Sequence, residues 1–112
     1  MSFQHKEISR GRWQKLSLVE QMANIGSEVE RAINWKNKND KEYSRMVFER
    51  ALELIDLTMA DGKNRHRLNE IARVRESLAD YFVGGNSYSA SDQVWKNYFY
   101  AFGLAAAIRA GL

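Results

Sequence analysis

The sequence predicts an all-α protein: an antiparallel up-down four-helix bundle over residues 17–112, preceded by a short N-terminal arm over residues 1–16. Three observations predict it. The 112 residues contain no proline, a residue that breaks helix interiors and is common where strands and loops dominate. Ala, Leu, Glu, Arg and Lys are plentiful and β-branched residues few, which is the usage of helix formers. Apolar residues recur at spacings of three and four in four stretches, each bounded by cap or stop signals. Amphipathic helices joined by short turns default to an up-down bundle, and spacings of 3.6 type rather than strict heptads argue against a long coiled coil.

The arm is polar and basic, with Phe3, Ile8 and Trp13 as isolated apolar anchors. The first helix has a capping box, Ser17 followed by Glu20, in which hydroxyl and carboxylate each satisfy a free amide. Leu18, Met22, Ile25, Val29 and Ile33 then mark one face. Gly26 lies near this stripe, where it costs about 1 kcal/mol relative to Ala; close approach of another helix is the expected compensation. Residues 37–40, NKND, form the turn, with Asn39 or Asp40 capping the second helix.

That second helix, Tyr43–Met59, YSRMVFERALELIDLTM, is the most periodic stretch in the chain. Tyr43, Val47, Ala51, Leu54 and Thr58 form one stripe. Phe48, Leu52, Ile55 and Met59 form a second beside it, so this helix is expected at the centre, touching two neighbours. Asp61-Gly62 is read as its stop, with Gly62 left-handed. The third helix is expected from about Arg65 to Val83, turning Leu68, Ile71, Ala72, Leu78, Ala79 and Phe82 inward, with Arg75 at the edge; Gly84-Gly85-Asn86 stops it. The fourth is capped by Ser89 or Ser91 and runs to about Ala110. Val94, Trp95, Tyr98, Phe99, Phe102, Ala105, Ala106 and Ile108 are expected to make its broad inner face.

At this length the chain is one domain with a modest single core. Having no cysteine, it has no disulfide scaffold, thiolate metal site or cysteine nucleophile. That fits a reducing cytoplasm, the expected location. Residues 1–13 have no apolar core of a signal peptide. The longest apolar run, Tyr98–Ile108, is too short to span a bilayer, so no membrane role is expected.

The formal charge is +3, and its placement matters more than its size. In an up-down bundle the start of the first helix, the turn after the second and the end of the fourth share one end. That end would collect Arg10, Arg12, Lys15, Lys63, Arg65, Arg67 and Arg109, with Asp61 the one acid in those segments. Arg65 and Arg67 would also open the third helix, where the macrodipole favours acids. Cations against a local rule suit an anionic partner, nucleic acid or an acidic protein; solvated charges at a bundle end are the plain alternative.

Glu53-Leu-Ile-Asp56 places two carboxylates three residues apart, on one helix face, with Glu49 one turn before. Such a trio suits Mg²⁺. The pattern resembles half of the site in the all-α nucleoside triphosphate pyrophosphohydrolases (the MazG and dUTPase-like family), where an ExxE on one helix and an ExxD on the next bind magnesium. Leu18–Ile25, LVEQMANI, is similar to that family's first helix in its apolar pattern. The resemblance would set the paired glutamates at Gln21 and Asn24, and an amide does not neutralise a cation as a carboxylate does. The expectation that follows is a magnesium-dependent hydrolase as the alternative function, with Mg²⁺ as cofactor only in that reading.

Other chemistries find no motif. No Glu-x-x-His pair is present, so a ferritin-like di-iron site lacks ligands. His66 would need an arginine at 59–61 to resemble the helical HEPN ribonucleases, and those residues are Met, Ala and Asp. Gly84-Gly85 lacks the Gly-Lys-Ser/Thr context of a phosphate loop.

The fourth helix holds Trp95, Tyr98, Phe99, Tyr100 and Phe102, more aromatics than one stripe accommodates. Core packing absorbs most of them. A second apolar surface for self-association would use the rest, with Gly103 and Ala105–Ala107 permitting close helix contact. Trp13–Val29, WQKLSLVEQMANIGSEV, with Phe48–Leu54, FERALEL, resembles a family of short uncharacterised bacterial proteins. In architecture and basicity the chain is also similar to Avd-type four-helix bundle proteins, small basic oligomers that assist a reverse transcriptase; this likeness is one of fold. The expected function is that of a non-enzymatic interaction protein, a homo-oligomer whose basic end meets nucleic acid or an acidic partner.

Overall fold

The computed structural model describes residues 11–87 and 89–111. Four α-helices make up the body: α1 (Leu18–Asn37), α2 (Lys41–Ala60), α3 (Leu68–Val83) and α4 (Asp92–Arg109). Short 3-10 segments precede α1 at Trp13–Lys15 and join α2 to α3 at Gly62–Arg67. Among the described residues there is no strand, and no helix is long and apolar enough to cross a membrane.

Local chemistry sets most helix starts. Ser17 and Glu20 form both halves of the capping box. Asp40, not Asn39, caps α2 by accepting from the Tyr43 amide; Asn39 has a positive φ of 65° and makes the turn. Ser91 caps α4 through the Val94 amide.

The start of α3 differs from expectation. Asp61 leaves α2 in an extended conformation, and its carboxylate accepts from the Lys63 amide, which winds Gly62–Arg67 into a 3-10 segment. Gly62 is therefore not left-handed, and α3 begins at Leu68. Glu70 sits in its first turn and binds Arg67, so the helix start has the acid its dipole favours.

The core gathers Met22, Ile25, Val29 and Ile33 of α1 with Val47, Phe48, Ala51, Leu54 and Ile55 of α2. α1 packs most extensively, against α2 on one side and α4 on the other, while α2 carries α3. The centre is thus the α1–α2 pair and not α2 alone. Contacts along each pair run in opposite sequence order: Gln21 with Asp61 and Ala32 with Ser44 for α1 and α2, Gly26 with Phe99 and Asn37 with Asp92 for α1 and α4. That is the antiparallel pattern.

Two inner faces differ from the sequence reading. On α3 the buried residues are Ile71, Val74 and Leu78, whereas Leu68 is exposed. On α4 only Trp95 and Phe99 are buried, and Val94 and Ile108 face outward. For α4 the cause is that it lies along α1 and leaves its far side uncovered, while α3 packs on α2. Gly26 does bring α4 close, its α-carbon facing Phe99. Of the expected arm, residues 1–10 lie outside the described residues, and Trp13 is buried against α2.

Candidate functional site

The end of the bundle where α1 begins is built on a buried polar network. Trp13 donates its indole N–H to Thr58 Oγ1 at 2.9 Å, and Thr58 donates to the Leu54 carbonyl at 2.8 Å. The Gln21 amide donates to the Trp13 carbonyl and to Asp61 Oδ2, each at 3.0 Å. Asn64 donates to Gln21 Oε1 at 2.8 Å and to the Thr58 carbonyl at 3.0 Å. Lys63 closes the set, its ammonium bound to Asp61 and, at 3.1 Å, to the Gln14 carbonyl. Gln21, Thr58, Asp61 and Asn64 are all buried, and buried polar groups that find partners hold a structure together where unpaired ones would break it. Burial alone would push the Asp61 carboxyl up, but hydrogen bonds from Lys63 and Gln21 outweigh it and hold the group below the ordinary carboxylate range.

Around this network the predicted cations gather. Lys63 ties the 3-10 connection, which carries Arg65 and Arg67, to the segment before α1, which carries Arg12 and Lys15. Arg109 reaches the same end: its charge is felt at Glu20, whose carboxyl is held low chiefly by the Ser17 backbone and side chain. Arg10 lies outside the described residues. The six described cations differ in availability. Lys63 is held by Asp61 and Arg67 by Glu70 at 2.8 Å, and Arg12 has an interaction of its own. Lys15, Arg65 and Arg109 are exposed and make no ion pair among the described residues. Glu70 also accepts from the Tyr98 hydroxyl at 3.4 Å, linking α3 to α4; burial, with Glu70 adding, pushes that hydroxyl up to about 12.

The opposite end is stapled by Lys36. Its ammonium donates to the Tyr81 hydroxyl at 2.5 Å and to Asp92 at 3.2 Å, while Asn37 donates to Asp92 at 3.0 Å.

The acidic trio on α2 does not converge. Glu49 is exposed, Glu53 is half-buried and engaged in an interaction of its own, and Asp56 accepts a two-pronged contact from Arg75, at 2.8 and 3.4 Å. Among the described residues no three His, Cys, Asp or Glu side chains stand close enough together to hold a metal ion. The positions where magnesium glutamates would fall have other work: Gln21 is the hub of the polar network, and Asn24 is exposed and donates to the Glu20 carbonyl.

A second surface lies between α1 and α4. A groove of about 520 Å³ runs there, lined by Ala23, Gly26 and Ser27 on one side and by Tyr100, Gly103 and Leu104 on the other. Glu30 and Lys96 stand at one end of it. Tyr100 and Leu104 of its lining, and Ile108 one turn further along α4, are 69%, 49% and 62% exposed. They are four residues apart, one ridge of the helix. Trp95 lines the groove too, and its buried indole N–H has no hydrogen-bond partner among the described residues.

No family model matches the chain, and neither a curated protein nor a solved structure matches it. A functional reading therefore rests on these two surfaces. The cations and the aromatics of α4 were visible in the sequence. The network was not, although Thr58 in register with an apolar stripe was its one local signal.

Proposed function

We propose that the protein is a non-enzymatic interaction protein that self-associates through α4 and offers its basic end to an anionic partner, nucleic acid or an acidic protein. The ridge of Tyr100, Leu104 and Ile108 carries the reading. From Tyr98 to Ile108 the helix has no charged residue, and helices apolar all round belong in interiors, yet only one side of α4 is covered. A contiguous apolar patch of this kind marks an interaction site more often than chance exposure. A second copy fits it well. An uncharged patch meets its own image without like-charge repulsion, as a two-fold interface requires. Gly103 and Ala107 keep the surface low between the larger side chains, so the ridge of one copy has a groove to enter.

Sedimentation velocity over a concentration series tests this. The wild-type chain should move from monomer to dimer as concentration rises. Leu104→Glu with Ile108→Glu should remain monomeric with unchanged helicity, because both side chains are exposed in the monomer. A wild-type chain that stays monomeric into the high micromolar range would refute self-association.

A further inference from the structure

The basic end differs from the α4 face in chemistry, and the difference points to the kind of partner. Protein interfaces have an apolar centre depleted of charge, with polar residues at the rim. Interfaces with nucleic acid are more polar and far more positive. Here the surface between the cations is Gln14, Gly62, His66 and Asn69, all exposed. Leu68, 37% exposed, and Ile108, next to Arg109 and 62% exposed, are the large apolar side chains exposed in these segments, and Ile108 belongs to the α4 ridge. Six cations, Arg12, Lys15, Lys63, Arg65, Arg67 and Arg109, face three carboxylates, Glu20, Asp61 and Glu70. The excess of three positive charges equals the formal charge of the whole chain.

The aromatics at this end are not placed to stack on bases. Among the described residues Trp13 is 1% exposed, Tyr98 and Phe102 are half-buried with the Tyr98 hydroxyl turned to Glu70, and the exposed Tyr100 belongs to the α4 ridge. Proteins that hold single strands use exposed aromatic platforms, so what remains is attraction to phosphates. That attraction is strongest where charge is densest, and a duplex carries one charge per ~1.7 Å of axis. Lys63 and Arg67 are held in ion pairs with their own carboxylates, whereas among the described residues Lys15, Arg65 and Arg109 make no ion pair, Arg109 acting on Glu20 only through space. The polar network beneath them fixes the backbone from which Lys15 and Arg65 project.

We infer that the basic end binds the phosphate backbone of duplex nucleic acid without reading sequence, through Lys15, Arg65 and Arg109. This rests on the proposal that the end takes an anionic partner. It gives α4 and the basic end separate tasks, one for a second copy and one for a polyanion.

Fluorescence anisotropy with a labelled mixed-sequence DNA duplex and the full chain tests it. Each phosphate neutralised adds about −0.9 to the slope of log affinity against log salt, so three contacts predict about a 40-fold loss between roughly 50 and 200 mM salt. The triple variant Lys15→Gln, Arg65→Gln, Arg109→Gln should lower that slope by about 2.7 and leave the α4-mediated dimer intact by sedimentation. Indifference to base sequence, with weaker binding of a single strand of equal length, supports the assignment. Tighter single-strand binding, or a slope unchanged in the variant, overturns it. Binding to polyglutamate with none to the duplex overturns the nucleic-acid assignment while leaving the anionic-partner reading in place. No binding to either at low salt overturns both.

Discussion

The substitution Gly26→Ala is the sharpest test of how α4 is held. A Cβ at Gly26 would lie 2.6 Å from Phe99 Cβ, 2.9 Å from its Cγ and 3.0 Å from its Cδ1. Carbon atoms settle at about 3.5–4.0 Å, so the overlap is about 1 Å. Turning the Phe99 ring relieves the Cγ and Cδ1 contacts and leaves the Cβ contact, because Cβ is fixed to the backbone. The whole of α4 must move. Overpacking of this kind costs about 1–3 kcal/mol, and the upper value applies where no rotamer relieves it. Against this, Ala is better than Gly inside a helix by about 1 kcal/mol. The expected net loss is about 2 kcal/mol, a fall in melting temperature of roughly 8 °C at ~4 °C per kcal/mol. Urea unfolding followed by circular dichroism measures it. Gly103→Ala is the matched control: it is also mid-helix, but among the described residues nothing beyond its own helix backbone lies within 4 Å of its added Cβ. At concentrations where the chain is monomeric that variant should gain up to about 1 kcal/mol. If Gly26→Ala is as stable as wild type, or if both variants shift in the same direction, α4 is not seated against α1 as described.

Three further expectations follow from the polar network and the acidic trio. Gln21→Glu would set a second buried carboxylate against Asp61 and remove the amide that serves Trp13 and Asp61; it should cost about 3–5 kcal/mol near neutral pH, with partial recovery on acidification as one carboxyl takes up a proton, read from melts across a pH series. Asp61 has a folded pKa below its unfolded one, so its stabilisation is complete above the ordinary carboxylate range and is lost as pH falls through the depressed folded value; Asp61→Asn should be less stable at neutral pH and show a flatter acid limb in the same melts. Asp56→Asn removes only an exposed pair with Arg75 and should cost under about 1 kcal/mol, and Mg²⁺ should leave the melting temperature of either form unmoved; a rise on adding Mg²⁺ that the variant lacks would restore the metal reading.

What the sequence made legible was local. The Ser17–Glu20 box and the α1 stripe depend on residues within a turn of one another and stand in the structure, and of the two caps open at each of α2 and α4 the structure takes Asp40 and Ser91. Gly26 was readable because a glycine inside a helix needs a reason, and close packing supplied it. The start of α3 was not readable. It depends on Asp61 capping a 3-10 segment, and on Asn64 being held from beneath by Gln21, 43 residues away in the chain. For the same reason Gln21 read as a missing glutamate and not as a hub. Val94 and Ile108 were assigned inward because their spacing is helical; which side of α4 is covered depends on which helices neighbour it, and spacing does not encode that. The cations of the basic end were visible, but their sorting into restrained and available ones needed the positions of Asp61 and Glu70.

That α4 rests mainly on a single neighbour has a consequence for how the molecule opens. α1 and α2 each contact two helices and share the core, so their amides should exchange with solvent only when the whole domain unfolds. α4 can lift from α1 and expose Trp95 and Phe99 while the α1–α2 pair stays closed, so its amides should exchange ahead of those of the pair. An assembly that covers the outer ridge would shut that opening. Protection in α4 would then rise with protein concentration, and protection in α1 and α2 would rise with it, because unfolding of the whole domain must also break the assembly, so the helix that opens ahead of the α1–α2 pair would also be the part through which that pair reports its company.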